Sequence, residues 1–211
     1  MTELAPNHHA DYRQFSGVFG YVAGLTMIIG RGADARLVTR IADLDEGDHV
    51  LDIGCGPGTA VRLAARDGVR LTGVDPAEPM LRLARLLTRL RRPGGRIEWV
   101  CAGAEDLKLP DESVTVCWSL ASVHHWPDLD GGLSEVHRVL TPGGLFVALE
   151  KRTEPGAKGN ASHGWTGQQA EAFGAMLTDH GFEEVEVADH DLARRRVVVV
   201  TGRRELSRSG R

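Results

Sequence analysis

Apolar positions follow two rhythms along this chain. Short, nearly continuous apolar runs recur at 48–53, 69–74, 96–101, 113–119 and 144–150. Between them stand longer stretches at 59–67, 77–90 and 130–140, where apolar residues return every three or four positions. Runs of the first kind read as strands buried on both faces, and stretches of the second kind as amphipathic helices. Strands that alternate with helices predict a parallel sheet, because a parallel crossover needs a helix-length connection. The fold class is therefore α/β, with helices on both faces of the sheet.

The rhythm breaks after residue 150. The segment 151–165 is polar and carries Gly156, Gly159 and Gly164, which predicts a loop or lid. Thr166 with Gln169 forms the spacing of a capping box for a helix that ends near His180-Gly181. Two more apolar runs, 182–188 and 196–201, predict an antiparallel hairpin that finishes the sheet. Ahead of the first strand, 9–43 reads as a helical cap, and the basic stretch 203–211 as a disordered tail. At 211 residues the chain reads as one domain, 1–211: the cap, a core over 44–150, then the lid, helix and hairpin over 151–202. The apolar stretch 15–29 holds three glycines and is too short to cross a bilayer, so it is expected to pack over a cleft.

The chemistry concentrates at Val50-Leu-Asp-Ile-Gly-Cys-Gly-Pro-Gly-Thr-Ala60. A strand runs into Gly54, Gly56 and Gly58, and a helix follows. Glycines here let the backbone turn sharply and let a ligand approach without Cβ atoms in the way. The following helix presents N–H groups and the positive end of its dipole. A dinucleotide turn reads Gly-x-Gly-x-x-Gly. Here the spacing is Gly-x-Gly-x-Gly, and Asp52 stands two residues before the first glycine. A carboxylate there repels a pyrophosphate and suits a ligand that bears an ammonium group. Asp75 ends the second strand 23 residues after Asp52, where an acid can accept from ribose hydroxyls.

This string resembles motif I of the class I S-adenosylmethionine-dependent methyltransferases. Three later segments match in order: Leu71-Thr-Gly-Val-Asp75-Pro76, Cys101-Ala-Gly-Ala104-Glu105-Asp106, and Trp118-Ser119 leading to His124-His125-Trp126-Pro127-Asp128. The turn Leu140-Thr-Pro142-Gly-Gly before the fifth strand also resembles the family's. The resemblance covers about 45–150 strongly and the ends weakly. It implies a Rossmann-like, seven-stranded, mostly parallel sheet with an antiparallel last strand and an N-terminal helical cap. It implies S-adenosyl-L-methionine as cofactor, S-adenosyl-L-homocysteine as product, and cofactor contacts from Asp52, Gly54, Cys55, Gly56, Asp75, Pro76, Met80, Ala104, Glu105 and Ser119. Asp106 stands beside Glu105 as an alternative acid.

A methyl acceptor with a hydroxyl needs a base, and a histidine suits that role. His124 and His125 stand past the fourth strand, and adjacent residues on an extended loop point in opposite directions. Some small-molecule and sugar O-methyltransferases look alike here, with a His-His pair after strand four and an acid closing strand five. By that resemblance His124 is the base and Glu150 orients it or binds the acceptor. Tyr12, Phe15, Phe19 and Tyr21 are expected to roof the cleft, and His163 and Trp165 to close it.

Composition narrows the partners. A formal charge of −4 and 42% hydrophobic residues give no footprint for nucleic acid. Cys55, Cys101 and Cys117 show neither metal spacing nor an even count for a disulfide framework. No carboxylate cluster for magnesium is evident, and no metal is expected. The reading is a cytoplasmic methyltransferase acting on a small-molecule acceptor, at oxygen rather than nitrogen, with no membrane partner, as monomer or homodimer. Two alternatives are a non-catalytic S-adenosylmethionine-binding protein and an NAD-dependent oxidoreductase.

Overall fold

The computed structural model describes residues 31–91, 93–157, 163–193 and 195–206. Tyr12, Phe15, Phe19, Tyr21 and most of the expected cap lie outside them. Helix α1 (Gly32–Ala42) leads into β1 (His49–Ile53), α2 (Thr59–Ala64), β2 (Arg70–Val74), α3 (Glu78–Arg91), β3 (Arg96–Val100) and β4 (Val114–Leu120). A one-turn 3₁₀ helix (Val123–His125) precedes α4 (Leu129–Val139), β5 (Leu140–Lys151), α5 (Gly167–Asp179), β6 (Phe182–Leu192) and β7 (Arg195–Arg204).

Among the described residues seven strands form one sheet in the order β3-β2-β1-β4-β5-β7-β6. The first five are parallel, and β7 enters antiparallel between β5 and β6. From β1 the chain builds outward through β2 and β3, then returns to the other side of β1 with β4. The strand order therefore reverses between β1 and β4, where open α/β sheets leave a crevice at their carboxyl ends.

Side chains alternate between two cores with the period of a strand. Leu51, Ile53, Cys117, Phe146, Ala148, Val198 and Val200 face α4 and α5, against Leu133, Val136, Phe173 and Leu177. Val50, Val116, Trp118, Val147, Leu149, Val197 and Val199 face the other way, against Ala35 and Val38 of α1, Ala60 and Val61 of α2, and Leu81 of α3. Helices thus cover both faces.

Several boundaries differ from the sequence reading. Helix α2 stops at Ala64 rather than 67, because Ala65 is extended and the chain then turns at Gly68. Strand β5 begins at Leu140 and carries Pro142 and Gly143 along, with a register shift against β4 between Val114 and Val116. The final strands are longer than expected. Arg203 and Arg204, expected in a disordered tail, belong to β7, where Arg204 donates to the Leu140 carbonyl and pairs with Glu112. The capping box forms as read: Thr166 Oγ1 accepts from Gln169 N–H at 3.2 Å, and Gln169 Oε1 accepts from Thr166 N–H at 2.9 Å.

Candidate active site

The turn after β1 is built from both backbone and space. Gly54, Gly56 and Gly58 all have positive φ, at 69°, 52° and 72°. A Cβ on Gly54 would lie 1.8 Å from Ser122 Oγ, and one on Gly58 would lie 2.1 Å from the Trp99 ring. The N–H groups of Gly54 and Cys55 both donate to the Val74 carbonyl, at 2.8 and 3.0 Å, which ties the turn to the end of β2.

Asp75, one residue past β2, closes this tie. Its Oδ2 accepts from Gly56 N–H and its Oδ1 from Ala77 N–H, each at 2.8 Å. One oxygen is therefore tied to each side, and each keeps acceptor capacity. Burial raises the Asp75 pKa, against the pull of the two N–H groups.

Asp52, on β1, is the deepest acid of the cleft. Burial pushes its pKa from an ordinary 3.8 up to about 8, with the Trp118 indole and the Arg31 guanidinium acting the other way and Asp75 adding to the rise. Burial and the nearby Asp52 and Asp75 also raise the Cys55 thiol well above its ordinary value.

These groups line one cleft of about 1080 Å³, open mouth included, at the carboxyl ends of β1, β2 and β4. Asp52, Gly54, Cys55, Gly56, Asp75, Pro76, Met80, Ala104 and His125 all border it. So do Arg31, Ala102, Leu120, Ala121, Ser122 and Trp126. The floor includes Gly54, where a Cβ would clash with Ser122, one wall is apolar, and two carboxylates face in. That donor and acceptor set fits a nucleoside with a ribose diol and a charged tail, as S-adenosylmethionine has.

Two expected contacts are not brought there. Ser119 is fully buried in β4 and does not border the cleft. Past it the chain turns through Ala121, whose φ is 47° and whose N–H donates to the Leu149 carbonyl at 2.6 Å. Leu120, Ala121 and Ser122 take the place expected of Ser119. Glu105 is exposed outside the cleft, its carboxylate folded against Gly103, and Asp106 pairs with Lys108.

Beyond Ser122 the chain winds into the 3₁₀ turn, not the extended loop expected. The two histidine rings therefore lie side by side, with centroids 4.0 Å apart. His125 borders the cleft. His124 turns toward β5, and its Nδ1 lies 2.8 Å from Glu150 Oε2. The Glu150 side chain is fully buried, whereas that of His124 stays 17% exposed. A neutral His124 that donates Nδ1–H to Glu150 keeps its lone pair on Nε2.

The lid splits into two parts. Trp165 was expected to close the cleft, but it packs in the core instead, its ring 4.6 Å from Phe173. Its N–H donates to the Lys151 carbonyl at 2.9 Å and its carbonyl accepts from Thr153 N–H at 2.8 Å, which pins the end of the loop beside β5. His163, two residues earlier, lies with its ring 6.1 Å from His124 and 6.4 Å from His125.

Arg31 is the residue that sequence reasoning missed. It precedes α1 and donates to the Leu120 carbonyl at the end of β4, 89 residues away. No local pattern signals such a contact. Burial lowers its pKa, while Asp34, Glu150 and Asp52 oppose the shift.

Among the described residues no group of His, Cys, Asp or Glu is arranged to hold a metal ion, and no helix is long and apolar enough to cross a membrane.

Comparison with known proteins agrees with this geometry. Residues 51–148 match a family model described as a methyltransferase domain. The chain is 38% identical over 119 residues to the 27-O-demethylrifamycin SV methyltransferase of Amycolatopsis mediterranei, covering 54% of this chain and 44% of that one. It is 33% identical over 118 residues to a ubiquinone/menaquinone biosynthesis C-methyltransferase of Rubrivivax gelatinosus, covering 56% and 45%. The matches thus span less than half the length of these curated relatives. The [4+2]-cyclase SpnF has a similar structure, with a TM-score of 0.71 at 22% identity over 83% of this chain and 81% of that one, a likeness of fold.

Proposed function

The chain belongs to the class I S-adenosylmethionine-dependent methyltransferases, and from that premise we propose that it methylates a hydroxyl of a small-molecule acceptor. The carrying observation is the 2.8 Å contact between His124 Nδ1 and the buried Glu150 carboxylate, beside the cleft that fits the cofactor.

When bound, S-adenosylmethionine supplies an electrophilic methyl whose leaving group is a neutral thioether. The protein's task is then to hold two partners in line and to take one proton. Asp75 accepts from the ribose hydroxyls with the capacity its backbone bonds leave free. Asp52 faces the cofactor's ammonium, and Gly54 and Gly56 let the chain of the cofactor lie against the backbone. Met80, Ala102 and Ala104 form an apolar wall of the cleft that would hold the adenine. His124, oriented by Glu150, takes the acceptor's hydroxyl proton at Nε2, and His125 and His163 flank the reacting groups.

The rifamycin relative is named as a methyltransferase of 27-O-demethylrifamycin SV and the quinone relative as a C-methyltransferase. A histidine backed by a buried acid can take the proton that a hydroxyl acceptor loses on methylation, which supports the reading of oxygen as the acceptor atom. Incubation with methyl-labelled S-adenosylmethionine and a panel of small alcohols, phenols, amines and carbon acids tests this. Label on hydroxyl compounds supports the reading. Label confined to amines or carbon overturns the preference for oxygen.

A further inference from the structure

We propose that Arg31 receives the carboxylate of the cofactor's amino-acid tail, opposite Asp52, so that the two residues select a zwitterionic ligand. The inference rests on the reading of the cleft as a site for S-adenosylmethionine.

Arg31 borders the same cleft as Asp52 and Gly54 and is the one lysine or arginine to do so among the described residues. A guanidinium has five N–H donors, and Arg31 directs one of its nitrogens to the Leu120 carbonyl. That bond holds the group at the end of β4, next to the turn that carries Ser122. Its backbone is fixed as well: the Arg31 carbonyl accepts from Ala35 N–H at 3.0 Å and so opens α1. The first turn of α1 is in turn clamped to β7, because the fully buried Asp34 pairs with Arg195. The guanidinium is thus supported from two strands before any ligand arrives, which is what a charged receptor in a half-buried site needs.

The charges of the cleft give the complementarity. Asp52 and Asp75 supply two carboxylates, and Arg31 supplies one cation. Asp75, past β2, accepts from Gly56 of the glycine turn, which assigns it to the ribose. That leaves Asp52 and Arg31 as a pair of opposite sign for the ligand's tail, which ends in one ammonium and one carboxylate. Planar guanidinium and carboxylate match in geometry as well as charge.

The test compares ligands that differ only in the tail. Titrate the wild-type chain and Arg31→Met with S-adenosylmethionine, S-adenosylhomocysteine, decarboxylated S-adenosylmethionine (no carboxylate) and 5′-methylthioadenosine (neither charge). Arg31→Met should weaken the first two by about 10- to 100-fold, the range of a hydrogen bond to a charged group. It should leave the last two within about twofold, as expected for a lost contact to an absent group. An equal loss on all four ligands makes Arg31 a fold-supporting residue and overturns the proposal. So does no loss on any. If the wild-type chain binds none of the four, the cofactor reading falls and the proposal with it, a result distinct from wild-type binding that is indifferent to Arg31.

Discussion

His124 Nδ1 and Glu150 Oε2 meet at 2.8 Å across the carboxyl ends of two adjacent parallel strands. Strands β4 and β5 pair in register through Leu120 and Leu149, so the turn after β4 and the last residues of β5 are neighbours by construction. The acid is buried and the histidine is partly open, an arrangement that fixes a ring orientation and leaves its other nitrogen to work. His124→Ala should slow turnover by about 10²–10⁴-fold with cofactor affinity nearly unchanged, the range for a lost general base. Single-turnover rates and cofactor titration, run on the same preparation, check it. A loss of binding with unchanged turnover per bound complex would make His124 a cofactor contact.

Glu150→Gln should act through His124. An amide that keeps the shape but not the charge lowers the rate less than loss of the histidine itself, and the two changes together should cost little more than His124→Ala alone. A double-mutant cycle on turnover measures this. Additive losses would mean that the two side chains serve separate tasks.

Asp75→Asn should weaken S-adenosylhomocysteine by about 1.5–3 kcal/mol, the worth of hydrogen bonds to a charged group. The same change disturbs the turn, because both carboxylate oxygens hold backbone N–H groups. Calorimetric affinity and melting temperature should therefore fall together. Undiminished affinity would show that the ribose rests elsewhere.

Much of this site could be read from the chain, and the exceptions share a cause. Gly54, Asp75 and the strand ends are local: a strand, a turn and an acid at fixed spacing give both their place and their chemistry. His124 and Glu150 are paired by the resemblance to small-molecule O-methyltransferases, and the structure brings the two side chains within 2.8 Å. Arg31 could not be read this way, since its partner at Leu120 is 89 residues away and nothing in its own neighbourhood points there. Trp165 misled for a related reason. An aromatic in a polar loop looks like a lid, but the contact that claims it is Phe173 in a helix the loop precedes. Strand β7 runs past its expected limit because Arg203 pairs with Leu145 of β5 and Glu183 of β6, and β5 starts early because Leu140 pairs with Val114 ahead of a register shift that takes in Pro142 and Gly143.

Asp52 gives the fold a pH dependence of definite sign. Its pKa lies near 8 in the folded chain against an ordinary 3.8. Below that ordinary value both states carry the proton and the group's contribution is fully present. As pH rises, the unfolded chain releases the proton first, so stability is lost progressively and levels off only above about pH 8. An ammonium placed opposite favours the ionised acid, so cofactor binding below pH 8 should release a proton and tighten as pH rises from 6 toward 8. Titration in two buffers of different ionisation enthalpy reads the proton directly. If Asp52→Asn keeps the same proton release and the same slope, another group is responsible.

Gly54→Ala should destabilise the fold by about 2–5 kcal/mol, summing the cost of a left-handed backbone and of overpacking. The added methyl would lie 1.8 Å from Ser122 Oγ. Ser122→Gly in the same chain should recover the part due to the clash and not the part due to φ. Thermal unfolding of the three variants distinguishes the two contributions, and no recovery at all would locate the whole cost in the backbone.

The most direct test of the account is a parallel calorimetric titration of the purified protein with S-adenosylmethionine, S-adenosylhomocysteine and NADH. The glycine turn with Asp52 and Asp75 predicts binding of the first two and none of the third. Binding of NADH alone would contradict the reading of Asp52 as the partner of an ammonium group, and with it the assignment of the cleft.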